Sequence, residues 1–143
     1  MPLKLTLGTV KRFEISASNN DMISKIQDVY INVADMKAAL TFYTSALGLC
    51  PTYESEWWTS LDCGGTAIGL HWTGGDRVPS VAKDDHGASA GATITFRSDN
   101  IPHDRALLER HGAKILGENQ QPWGHMLVFE DLDGNVLKLM NPK

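Results

Sequence analysis

Proton transfer, if this chain carries out any, would fall to His71, Glu130, Asp28 or Tyr30, because an imidazole, two carboxylates and a phenol are groups whose protons can move during a reaction. No motif joins them into a known catalytic arrangement. The turn at Asp131–Gly134 begins like a calcium loop, but the twelfth position counted from Asp131 is Pro142, where a bidentate Glu is needed. Gly64 and Gly69 have the spacing of a phosphate loop, yet Leu70 and His71 follow in place of Lys and Ser or Thr. There is no GxSxG elbow, and neither Cys50 nor Cys63 stands in a nucleophile signature, so both read as packing residues. Flat apolar surface is better represented. Trp57, Trp58, Trp72 and Trp123 all fall at the ends of predicted strands, where an indole can cover a planar ligand and stacking adds ~0.5 to 1.5 kcal/mol beyond area burial. Trp57 and Trp58 are adjacent, so only one of them can face a given side of a sheet.

Positioning such groups requires strands and helices, and the pattern supplies them twice. Val29, Ile31 and Val33 alternate with Tyr30 and Asn32, which predicts a half-buried strand. Asp35 then caps a helix carrying Leu40, Tyr43 and Leu47 at helical spacing, and Gly48 ends it. Farther along, Ile94 and Phe96 alternate with Thr93, Thr95 and Arg97, and Asp99 opens a second helix that Gly112 closes. Both pairs of landmarks lie 13 residues apart and are offset by 64, which marks a repeat. Three strands are predicted after each helix: Pro51–Glu54, Trp57–Leu61 and Thr66–Trp72 in the first unit, and Lys114–Gly117, Met126–Phe129 and Asn135–Met140 in the second. Residues 73–90, rich in Gly, Pro, Ser and Asp, read as a long connecting loop. Leu3, Leu5 and Leu7 alternate with Lys4, Thr6 and Gly8, so residues 1–24 read as an extension with its own strand, attached through the polar stretch Ser16–Asp21.

The 143 residues, 42% hydrophobic and 21% charged, fit one globular domain. A net charge of -4 with no basic block argues against nucleic-acid binding. The longest apolar run, Met126–Phe129, is far short of the ~20 residues of a spanning helix, so no membrane role is expected. The first 16 residues alternate instead of building an apolar segment. With two unpatterned cysteines, this predicts a cytoplasmic protein without disulfides.

The tandem units resemble the vicinal-oxygen-chelate superfamily, which includes glyoxalase I, bleomycin-resistance proteins, fosfomycin-resistance enzymes and extradiol dioxygenases. The resemblance covers about residues 25–141. It is carried by Val33 and Asp35, by Phe42, Tyr43, Leu47 and Gly48, and by the Glu130–Asn135 turn. It implies an α+β fold: two tandem βαβββ modules, about 25–72 and 91–141, forming a curled mixed sheet around a cleft, with the extra N-terminal strand outside. It also implies a homodimer.

Enzymes of that superfamily hold a divalent ion with His, Glu or Gln from strands matched here at Asp28, Gly69, Thr93 and Lys138. Only Asp28 ligates well: Gly69 has no side chain, a Thr hydroxyl is a poor lone ligand, and Lys138 would set a cation where the metal should sit. The inherited metal site therefore reads as absent, and no cofactor is expected, although His71 shares a strand face with Gly69 and could substitute for it. The resulting expectation is a metal-free protein that captures a small, partly planar organic molecule with Asp28, Tyr30, Asn32, Trp58, His71, Thr93, Thr95, Trp123 and Lys138. A pairing of Asp28 with Lys138 is the plainer alternative for those two, and His125 is open between lining and surface. The alternative is a lyase, isomerase or dioxygenase of the same superfamily with a non-standard or metal-dependent site.

Overall fold

The structure, a computed structural model, describes residues 22–143. The proposed strand at Leu3–Leu7 lies outside these residues. Strand β1 (Val29–Val33) leads into helix α1 (Met36–Ser45), followed by β2 (Cys50–Glu54), β3 (Trp58–Cys63) and β4 (Thr66–Trp72). They form a four-stranded sheet in the order β1-β4-β3-β2, with β1 parallel to β4. Strand β7 (Thr95–Arg97), helix α2 (Ile101–Arg110), β8 (Lys114–Gln121), β9 (Gly124–Glu130) and β10 (Val136–Pro142) repeat the plan in the order β7-β10-β9-β8. Among the described residues the two sheets stay separate and close no barrel.

Local chemistry sets the element ends. Asp35 caps α1 by accepting the Ala38 N–H at 3.0 Å, and Gly48 leaves the helix at φ +70°. In the second module Asn100, not Asp99, is the cap and accepts the His103 N–H at 3.1 Å. Gly64 and Gly65, both at positive φ, make the tight turn between β3 and β4.

Alternate residues of each sheet face its helix. Val33, Leu61 and Leu70 pack with Ala39, Phe42 and Tyr43 of α1; Leu127, Phe129, Leu137 and Leu139 pack with Ile101 and Leu108 of α2, all in one continuous core. The turn between β9 and β10 ties the modules together. Buried Asp131 accepts the Tyr43 hydroxyl at 2.5 Å, Asp133 accepts the Ala34 N–H at 3.0 Å, and Asn135 Nδ2 donates to the Asn32 carbonyl at 3.0 Å.

The connecting segment is not a plain loop. It carries a short hairpin, β5 (Lys83–Asp84) and β6 (Gly87–Ala88), whose turn is fixed by Asp84 accepting the His86 N–H at 2.8 Å. Cys50 is exposed, which corrects its reading as a packing residue; Cys63 is half-buried, and burial pushes its thiol up from the ordinary value.

On the helix side of the second sheet, Glu118 accepts from Arg105 of α2 and lies 2.7 Å from His125 Nε2. This settles His125 away from any open face, alongside Leu127 and Phe129. Burial raises the Glu118 carboxyl, but His125 and Arg105 together outweigh it and hold it below the ordinary value. Its contribution to stability is therefore present above the unfolded carboxyl's titration and lost as pH falls through the lowered value. Glu118→Gln is expected to cost up to about 1 kcal/mol at pH 7, a difference that disappears in urea unfolding below about pH 3. An equal cost at both pH values would remove this account.

Candidate functional site: an aromatic sheet face

The face of the first sheet turned away from α1 is built by strand alternation. Tyr30 and Asn32 of β1 point to the side opposite Ile31 and Val33, and the register sets Tyr30 beside Gly69 and Asn32 beside His71. Across β4, Trp58 pairs with His71 and Ser60 with Gly69. A Cβ placed on Gly69 would sit 2.3 Å from Trp58 Cζ2 and 2.9 Å from Tyr30 Cβ, so the indole lies directly over the glycine backbone. Trp58 Nε1 donates to Ser60 Oγ at 2.8 Å, which fixes the ring in that position. Tyr30 meets Trp58 edge-on with centroids 5.5 Å apart and meets His71 at 5.7 Å. His71 Nδ1 lies 3.2 Å from Asn32 Oδ1. Tyr30 is 55% exposed, so the cluster is a surface facing solvent and not part of the core.

The structure therefore brings Tyr30, Asn32, Trp58 and His71 into one cluster. Asp28 precedes β1 on the same side by alternation and is half-buried. Thr95 and Lys138 stand side by side on the second sheet, also facing away from their helix, and Thr93 lies just before β7. Lys138 does not pair with Asp28; its side chain runs against Gly87 of β6, where an added Cβ would come within 2.7 Å of Lys138 Cε. Trp123 is in the β8–β9 turn and joins none of the ring contacts among the described residues. Trp57 and Trp72 contact each other at a tilt of 57° with centroids 4.8 Å apart, and Trp72 Nε1 donates to the Ala34 carbonyl at 2.9 Å beside α1. Ser60 was not singled out in the sequence, although its place two residues from Trp58 is the signal that it shares the face.

A cleft of about 240 Å³ runs along β1 between Tyr30 and Asn32, the linker residues Val81 and Ala88, and Val136 at the start of β10. Over the second sheet the hairpin is pinned by Lys83, whose Nζ is 2.7 Å from Glu130 Oε1. Glu130 is thus engaged in an ion pair on the second sheet, away from His71 and Tyr30, and the four proton-transfer candidates do not form one group.

The four positions matched to metal ligands do not make a divalent site. The space in front of Gly69 is filled by the Trp58 indole, Lys138 brings a positive charge, and Thr93 offers one hydroxyl. Among the described residues, no three His, Cys, Asp or Glu side chains come together in a way that could hold an ion. No described helix is long and apolar enough to cross a membrane.

Comparison with known proteins agrees with this architecture. Fosfomycin resistance protein FosX from Listeria monocytogenes superposes with a TM-score of 0.68 at 15% identity, covering 85% of this chain and 96% of that one. A glyoxalase/bleomycin resistance protein/dioxygenase family enzyme from Burkholderia phytofirmans gives 0.69 at 16% identity, covering 84% and 100%. Lactoylglutathione lyase from Agrobacterium tumefaciens gives 0.61 at 17%, covering 83% and 94%. At these identities the likeness is one of fold. No curated protein sequence matches the chain. The family model Glyoxalase/Bleomycin resistance protein/Dioxygenase superfamily matches residues 25–139, and the chain belongs to that superfamily.

Proposed function

We propose that this protein is a small-molecule-binding member of its superfamily that captures a partly planar organic ligand on the Tyr30–Trp58–His71 face without using a metal ion. The observation that carries this reading is the Trp58 indole, laid across Gly69 and held by Ser60, with Tyr30 edge-on to it and the His71 ring tilted beside it at 6.2 Å. Rigid aromatic surface of this kind covers a flat ring at little entropic cost. Asn32 supplies a polar anchor at the rim, and the adjoining cleft offers room for substituents. One FosX structure, at 17% identity, is complexed with Mn(II) and a sulfate ion; the donor set at the matched positions here does not provide for such an ion.

The test is a tryptophan-fluorescence titration against a panel of planar metabolites and antibiotics, run with wild type, Trp58→Ala and Trp123→Phe in the presence of chelator. At least one compound is expected to quench wild type and Trp123→Phe saturably, with affinity for Trp58→Ala lower by about tenfold or more, the sum of lost area and lost stacking. Unchanged affinity in Trp58→Ala, binding abolished by chelator, or no saturable compound would each overturn the reading.

A second reading, a lyase or isomerase, is favoured by one observation: Asn32 Oδ1 beside His71 Nδ1 sets that nitrogen as the donor and leaves Nε2 as a base. Turnover of a captured ligand that is lost in His71→Gln would move the assignment to this second reading.

A further inference from the structure

The second sheet has an open side equivalent to the aromatic face of the first, but its own linker lies on it. Lys83 of β5 meets Glu130; the Asp85 carbonyl presses on Gly117, where a Cβ would come within 2.1 Å; and Gly87 covers Lys138. We propose that Glu130 is a cation-accepting subsite for an organic ammonium group, and that the β5–β6 hairpin is its tethered, displaceable occupant, with Lys83 holding the place of the ligand's ammonium.

Three observations support this. First, the Glu130 side chain is only 12% exposed, yet its partner comes from the linker and not from the sheet: Lys138, on the same face, rests on Gly87 with no carboxylate partner among the described residues. The carboxylate is therefore directed at whatever covers the sheet. Second, the pairing is incomplete. Lys83 Nζ is 2.7 Å from Oε1, but the alignment is not that of a hydrogen bond, and this buried oxygen has no other donor among the described residues. A free ammonium, able to orient its three donors, satisfies the oxygen better than a lysine whose approach is dictated by a hairpin. The other buried side-chain oxygen without a donor among the described residues, Asn119 Oδ1, belongs to the same sheet on β8. Third, the hairpin is built to move at low cost. Each of its strands is two residues long, and Asp85 and His86 at its tip are exposed. The segment is bounded by Gly74 and Gly75 on one side and Gly91 on the other, all at positive φ with open space around them.

The subsite is separate from Trp58, so the test distinguishes it from the aromatic-face reading. Amide hydrogen exchange of residues 82–89 is measured without ligand in wild type, Lys83→Met, Glu130→Gln and Gly117→Ala. All three variants are expected to exchange about fivefold faster or more, the first two by losing the ion pair and the third by pushing Asp85 off the sheet. Calorimetric binding of benzylammonium, with benzyl alcohol and benzoate as neutral and anionic controls, then reads the chemistry. Removing the tethered competitor in Lys83→Met is expected to tighten benzylammonium by about tenfold relative to wild type, with benzyl alcohol unchanged and no gain in Glu130→Gln. Gly117→Ala keeps both charges and is expected to tighten benzylammonium in the same direction, which keeps the test intact if Lys83→Met folds poorly. Unaltered exchange in Lys83→Met and Glu130→Gln, or a gain for benzoate in place of benzylammonium, would overturn the proposal.

Discussion

Asp131→Ala is expected to lower the unfolding free energy by about 3 to 5 kcal/mol, measured by urea denaturation at pH 7. The carboxylate is buried and makes four hydrogen bonds. Oδ2 accepts the Tyr43 hydroxyl at 2.5 Å and Asn135 Nδ2 at 2.9 Å, while Oδ1 accepts the N–H groups of Asp133 and Asn135, both at 2.9 Å. Truncation leaves a fully buried phenol without its acceptor and frees the turn whose Asp133 and Asn135 reach across to the first module. Tyr43→Phe removes one bond of the network and is expected to cost about 1 to 2 kcal/mol, and the double variant less than the sum, because the two changes share a partner.

The pH dependence follows from the directions of the two shifts. Burial raises the Asp131 carboxyl, with the Tyr43 and Asn135 hydrogen bonds pulling the other way, so this group's contribution is full below the unfolded carboxyl value and fades as pH rises through the folded one. Acid weakening of the fold at pH 3 to 4 must come from groups such as Glu118 instead. Tyr43 is raised far more strongly, first by burial and then by Asp131. Its contribution is full below the ordinary phenol value near 10 and is lost as pH climbs beyond it, so wild type should weaken above about pH 10 more than Tyr43→Phe does. Parallel alkaline curves for the two proteins would contradict this.

How much of this was visible in the chain depends on whether local pattern or distant contact decides each feature. The strands and helices of both modules were legible because Val29, Ile31 and Val33, or Leu137 and Leu139, carry their burial in their spacing. The second helix start was misplaced by one residue. Asp99 and Asn100 are both good caps, and only the reach of Asn100 to the His103 N–H decides between them. Strands β8, β9 and β10 run longer than the pattern suggested because polar residues such as Asn119 and Gln120 are held by pairing with β9 and not by their own preference. The β5–β6 hairpin had no signal, since a Lys-Asp-Asp-His-Gly run has no apolar alternation; Glu130 and Gly117, far away in sequence, hold it in place. For the site, alternation placed Tyr30 and Asn32 together on β1 and His71 with Gly69 on β4, and left open which of Trp57 and Trp58 joins them. It could not show that Gly69, which looks like a missing ligand in the sequence, serves as the bed for an indole.

That role makes Gly69→Ala a sharp test of the binding face. Gly69 is not in the left-handed region, so its backbone accepts alanine, and the added methyl points away from the core shared with α1. The fold should hold at a cost of about 1 to 3 kcal/mol, because the methyl also comes within 2.9 Å of Tyr30 Cβ, which cannot swing aside as the indole can. The indole cannot hold its place, because the new Cβ would stand 2.3 Å and 2.4 Å from two of its ring carbons. Trp58 has to swing off the sheet, breaking its bond to Ser60 and the edge contact with Tyr30. Flat-ligand affinity is therefore expected to drop by about tenfold or more, with a red shift of tryptophan emission as the ring enters water. Ser60→Ala separates position from bulk. It frees the indole without displacing it, and its expected loss is about threefold, close to the worth of one neutral hydrogen bond. Should Gly69→Ala shift the emission and yet bind as wild type does, the ligand rests elsewhere and Trp58 is only a neighbour of the site.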